Sequence, residues 1–212
     1  MPVHFPDVKA TFIHVPKTGG TSFYEWIGRN METYEQLPHN DYANGCMDAA
    51  RARWGDLGTT FSFVRNPYSR LVSMYTYHYA KAREYVANPS NHLPMKLVDY
   101  MRVIAVSQKG FDYWLECVCY DKPELYNIGD AAPDRMSVSS WFNGTMPDII
   151  IKTEELNQEF YRIQNLLGSR FEPLPWVNTS EHKPYREYYN TDTRRMVEMK
   201  FKDDLDNFNY EF

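Results

Sequence analysis

The chain has 212 residues, 43% of them hydrophobic and 16% aromatic, which is enough to bury the core of one α/β domain and too apolar for a disordered chain. Its 23 basic and 28 acidic residues leave a formal charge of −5, which argues against a protein that coats nucleic acid and allows an anionic ligand only where basic groups converge. No stretch approaches the roughly 20 apolar residues of a membrane-spanning helix, and Met1 to Lys9 lacks the apolar run of a secretory signal.

The three cysteines, Cys46, Cys117 and Cys119, are an odd count with two of them only two apart. That is a poor disulfide framework and suits a reducing compartment, so a cytoplasmic location is expected. Cys117-Val118-Cys119 has no second Cys or His pair at ligand spacing, so these thiols read as structural.

In chain order, Ala10 to Val15 reads as a short buried strand, ended by Pro16. Lys17-Thr18-Gly19-Gly20 is a loop, and from Thr21 the spacing of Phe23, Trp26, Ile27 and Met31 predicts a helix. A second strand runs from Thr60 to Val64 and closes at Arg65. Asn66 then suits an N-cap and Pro67 a first helical position, followed by the apolar stripe Leu71, Val72, Tyr75 and Tyr79. Residues 81–147 are aromatic and mostly helical in pattern, with boundaries that the sequence does not define. Asp148 to Lys152 is a short apolar run suited to a central parallel strand, with Thr153 as cap of a helix that Gly168 ends. Residues 172–190 read as a proline-punctuated loop, and a last helix is predicted over about Thr191 to Leu205. Strands alternating with helices predict an α/β fold of P-loop-like, three-layer type, with a mainly parallel central sheet covered by helices. Ligands of such sheets bind at the carboxyl ends of the strands, where Lys17 and Arg65 both fall.

The segment from His14 to Ser22 carries the strongest chemistry. Gly19 and Gly20 let the backbone approach an anion, and the N–H groups of Gly19 to Ser22 would open the helix. Lys17 adds a positive charge, and Thr21 and Ser22 add hydroxyl donors. This is not the Gly-Lys-Ser/Thr loop of magnesium-dependent NTPases, because Lys17 precedes the glycines. Asp148 precedes its strand, whereas a metal-binding carboxylate should follow one. A second basic group, Arg65, ends the next strand and can pair with a phosphate in bidentate fashion. Ser73 lies two turns further on, and Arg70 reads as a structural ion-pair partner.

Ile13 to Ser22 resembles the 5′-phosphosulfate loop of sulfotransferases that use 3′-phosphoadenosine 5′-phosphosulfate (PAPS), and Phe63 to Tyr75 resembles their 3′-phosphate motif. The likeness extends to the carbohydrate O-sulfotransferases, heparan- and chondroitin-type enzymes and bacterial homologues among them, and includes Asn178-Thr179-Ser180, Tyr185 and Phe208 to Phe212. The resemblance implies a single sulfotransferase domain over residues 1–212, with PAPS-binding elements in 10–31 and 60–80. It implies PAPS as donor and PAP as product, held by Lys17, Thr18, Gly19, Gly20, Thr21, Ser22, Arg65 and Ser73, with no metal. The acceptor it implies is a hydroxyl, favoured on a glycan, with a small metabolite or a protein tyrosine left open. A sulfuryl group carries one negative charge fewer than a phosphoryl group, so its transfer needs less help from a cation.

An acceptor hydroxyl must lose a proton, and His or Glu is the expected base. His39 lies between the two nucleotide motifs, where related carbohydrate sulfotransferases often place a catalytic His, and is the candidate beside Lys17. His78, Glu25 and His182 are the alternatives, and His14, inside the first strand, suits a packed role. The tyrosines of residues 75–79 and 185–189 suit either stacking on sugars or core packing. Two other readings stay open: a small-molecule kinase with an unusual phosphate loop, and a non-catalytic module that binds PAP or another nucleotide.

Overall fold

The computed structural model describes residues 1–37, 46–88, 96–126, 137–175, 177 and 182–212. The chain begins with strands β1 (Val3–Phe5) and β2 (Ala10–Phe12), helix α1 (Gly20–Asn30), the two-residue strand β3 (Glu35–Gln36), α2 (Cys46–Trp54) and β4 (Thr59–Val64). Among the described residues the helices α3 (Pro67–Ala87), α4 (Leu97–Ser107), α5 (Phe111–Cys119) and α6 (Pro123–Tyr126) follow. The last elements are β5 (Ile149–Lys152), α7 (Leu156–Glu159), α8 (Tyr161–Leu167), α9 (Thr191–Lys200) and α10 (Lys202–Phe208). Among the described residues, no helix is long and apolar enough to cross a membrane. The chain divides into two compact units, Met1–Asn66 with Val138–Thr179, and Pro67–Ser137 with Ser180–Phe212.

The first unit is built on a five-stranded sheet in the order β3-β1-β2-β4-β5. The contiguous strands β2, β4 and β5 are parallel, giving the mainly parallel core and the α/β fold that the sequence predicts. The strands β1 and β3 add an antiparallel edge. In register, Phe12 lies opposite Phe61, Phe61 opposite Ile149, and Phe63 opposite Ile151. Because side chains alternate across a strand, these residues share one face of the sheet. Phe23, Trp26 and Ile27 of α1, Leu156, Phe160, and Ile163 and Leu167 of α8 pack into the same cluster. Each such side chain, once buried, contributes about 1.5–3 kcal/mol. The apolar run of residues 149–152 suggests a central strand, yet β5 ends the sheet order and three of its four residues are only half-buried. A short apolar run reports burial of the faces and does not fix a place in the sheet.

The second unit is helical. Its core joins Tyr68, Leu71, Val72 and Met74 of α3 to Tyr100, Val103 and Val106 of α4, to Trp114 and Leu115 of α5, and to Val197 and Phe201. A capping box opens α9: the Asn190 side chain accepts from the N–H groups of Asp192 and Thr193, and the Thr193 hydroxyl accepts from Asn190 N–H. The single helix expected up to Leu205 is broken at Phe201, whose φ of −113° and ψ of 26° leave the helical region. The Phe201 ring is 1% exposed, so packing has overridden the local periodicity. The tyrosines are mostly packing groups: Tyr75 meets Phe111 and Trp114 edge-on, and Tyr189 donates to Tyr68 O at 2.9 Å.

Candidate active site

The site is organised by the loop between β2 and α1. Parallel pairing of β2 with β4 continues to Ile13, whose N–H donates to Phe61 O at 2.8 Å while its carbonyl accepts from Ser62 Oγ at 2.6 Å. Beyond Ile13 the chain leaves the sheet. Lys17 takes a left-handed φ of 67° and Gly19 one of 94°. Such a conformation is uncommon for a lysine and costs about 1–3 kcal/mol, held here by the surroundings. The Thr18 hydroxyl turns inward and donates to Val15 O at 2.8 Å. Thr18 is fully buried, so a ligand contact from it would come from its backbone N–H.

Gly19 occupies the cap position of α1, and no side chain of the described residues caps that helix. Its first amides, on Gly20, Thr21 and Ser22, therefore face the end of the helix with the positive pole of the dipole behind them. Thr21 is exposed and Ser22 half-buried. The His14 ring fills the space beside Gly20: a Cβ there would meet His14 Nε2 at 2.1 Å. The ring also packs edge-on against Tyr24, so His14 has the packed role expected.

Side chains at the carboxyl ends of β4 and β5 hold this loop. Arg65 Nη1 donates to Lys17 O at 3.3 Å. Thr153 Oγ1 lies 2.9 Å from Thr18 O and 2.8 Å from Val64 O. Glu154 Oε1 accepts from Asn66 N–H at 3.0 Å. Sequence reasoning missed Thr153 as a partner of the loop and Glu154 as a partner of the chain after β4. The signal available was their position directly after an apolar strand, where α/β folds place ligand-binding groups. Asp148, by contrast, sits at the amino end of β5, accepting from Thr60 N–H at 2.7 Å and Thr60 Oγ1 at 2.8 Å. These two bonds hold its carboxyl below the usual carboxylate range and fix it at the far end of the sheet from Lys17.

Residues 3–211 match the model of the Sulfotransferase family, which therefore spans nearly the whole chain. The chain belongs to the sulfotransferase family. No curated protein matches its sequence. As a sulfotransferase-family member it is a transferase, and the loop from Ile13 to Ser22 with the segment ending in Arg65 are the parts of it that the sequence singled out.

The remaining predicted residues of this sulfotransferase are distributed as follows. Ser73 lies on α3 in the second unit and is 6% exposed, and Arg70, on the same helix, is 1% exposed. His78, also on α3, is half-buried with its ring beside Tyr77. The bond of His182 is local: Nδ1 donates to Lys183 O at 2.8 Å. Glu25 is exposed and paired with Arg29 at 2.5 Å, as a solvated helix face predicts. His39 lies outside the described residues.

Proposed function

We propose that the protein transfers the sulfuryl group of PAPS to an acceptor hydroxyl and releases PAP, without a metal. The observation that carries this reading is the amino end of α1, which no side chain of the described residues caps, flanked by Lys17 and by the Arg65 that is bonded to Lys17 O, in a chain of the sulfotransferase family. PAPS supplies the activated sulfuryl group. The N–H groups of Gly19, Gly20, Thr21 and Ser22, with Thr18 N–H beside them, hold its 5′ group, and Arg65 and Ser73 hold its 3′-phosphate. As the new S–O bond to the acceptor forms and the bond to the nucleotide breaks, negative charge grows on the bridging oxygen, and the Lys17 ammonium stabilises it. His39 takes the acceptor proton. The acceptor is a glycan, on the strength of the resemblance to carbohydrate O-sulfotransferases, and the chain works as one cytoplasmic domain.

Calorimetry tests the donor assignment. PAP should bind at least about tenfold more tightly than AMP or ATP with no magnesium present, the scale of one charge-assisted phosphate contact. Equal affinity for PAP and AMP would remove the 3′-phosphate role of Arg65 and Ser73.

A further inference from the structure

Thr153 is the first residue beyond β5, and its hydroxyl reaches two carbonyls, Thr18 O at 2.9 Å and Val64 O at 2.8 Å. A hydroxyl carries one proton, so a single donor is shared between the phosphate loop and the end of β4. The consequence for the loop follows from the geometry of the peptide bond. In a trans peptide the C=O and N–H point in opposite directions. Holding Thr18 O toward β5 therefore turns the N–H of the same peptide, that of Gly19, away from β5. The Arg65 contact to Lys17 O acts in the same way on Thr18 N–H.

Lys17 and Gly19 both have positive φ, so the loop between them has no regular pattern of its own to fix its peptide planes. Thr18 uses its own side chain on Val15 O, which leaves the orientation of the Thr18–Gly19 peptide to an outside group. Leu156 completes the restraint from the same segment, since a Cβ on Gly19 would meet its Cδ1 at 3.1 Å and Thr153 Cγ2 at 3.9 Å. We infer that Thr153 is a positioning residue of the donor site: its hydroxyl holds the Thr18–Gly19 peptide so that Gly19 N–H faces the 5′ group of the nucleotide. This inference rests on the donor-site reading above. It assigns to β5 a part in setting the 5′ subsite before the nucleotide arrives.

The test compares PAP with adenosine 3′-phosphate, which lacks the 5′ group, on wild-type protein, Thr153→Val and Thr153→Ser. Thr153→Val keeps the shape and removes the hydroxyl. It should weaken PAP about tenfold and leave adenosine 3′-phosphate within about twofold of wild type, while Thr153→Ser keeps the PAP preference. Equal weakening of both ligands, or no change in either, overturns the inference while the wild type still prefers PAP. A wild type with no preference for PAP over adenosine 3′-phosphate overturns the donor-site reading and the inference with it. Hydrogen exchange on the wild-type protein gives a measurement that does not depend on the variants folding. PAP should protect the Gly19 amide and adenosine 3′-phosphate should not; equal protection by the two overturns the role given to Thr153.

Discussion

The Arg65 guanidinium donates to the Lys17 carbonyl at 3.3 Å, so the end of β4 is bonded to the loop that follows β2. Parallel pairing of these neighbouring strands carries both residues to the same end of the sheet.

The two cations should fail in different ways. Lys17→Ala should depress kcat strongly and PAP affinity less, because the ammonium acts on charge that grows in the transition state. Arg65→Ala should chiefly weaken PAP, by about ten- to a hundredfold, and Arg65→Lys should recover little, since a lysine lacks the fork that grips a phosphate. Steady-state kinetics and calorimetry separate the two. If Lys17→Ala loses only affinity and keeps kcat at saturation, its proposed role is wrong.

Gly20 is set by its neighbour. Because a Cβ at this position would lie 2.1 Å from His14 Nε2, Gly20→Ala should displace the imidazole and cost about 1–3 kcal/mol of stability. His14→Ala combined with Gly20→Ala should recover part of that loss, a coupling that urea unfolding of the two single variants and the double variant would measure. Additive losses would show that the ring is not the obstacle.

Much of the fold was legible because its signals are local. Ile13 to Ser22 brings a strand, two glycines and a lysine together, and Thr59 to Val64 ends on a basic residue before Asn66-Pro67. What could not be read depends on chain segments far apart. Thr153 looks like a helix cap, yet its hydroxyl turns back to Thr18 O and Val64 O, partners fixed only when β2, β4 and β5 align. The Thr18 hydroxyl is spent on Val15 O, a turn contact that residue type alone does not reveal. The strands β1 and β3, of three and two residues, are too short for a periodic signal and owe their existence to pairing, β1 with β2 and β3 with β1. In residues 97–126 apolar residues occur on several helix faces, so their spacing marks burial without marking where α4, α5 and α6 begin.

His39 is assigned as base from its place between the two nucleotide motifs. His39→Ala should cut kcat by about 10²–10⁴-fold and leave PAP affinity nearly unchanged. The wild-type rate should fall as the pH drops, since a protonated imidazole cannot accept the acceptor proton. A His39→Ala variant that keeps more than about a tenth of wild-type kcat would redirect the search to His78, Glu25 and His182.

Burial raises the Cys46 thiol to about 11 and the Cys119 thiol to about 12, from an ordinary value of 9.0. Cys46, Cys117 and Cys119 are all buried and free, so the native protein should react slowly with a thiol reagent, and the unfolded protein should titrate three thiols. The same shifts predict a pH dependence. A raised folded pKa leaves the stability contribution intact below 9.0 and removes it as the pH climbs toward 11 and beyond, because only the unfolded chain ionises freely in that window. Urea midpoints should fall across this range, and Cys46→Ala with Cys119→Ala should reduce the slope. A midpoint that rises with pH there would reverse the sign of the argument.

The most direct test of donor chemistry offers the protein two labelled donors with a panel of glycans and small hydroxyl acceptors. One reaction contains sulfur-labelled PAPS without magnesium, the other ATP labelled at its terminal phosphate with magnesium. Label should pass from PAPS to an acceptor hydroxyl, and Lys17→Ala should abolish most of that transfer. Transfer of phosphate from ATP with none of sulfate from PAPS would contradict the account.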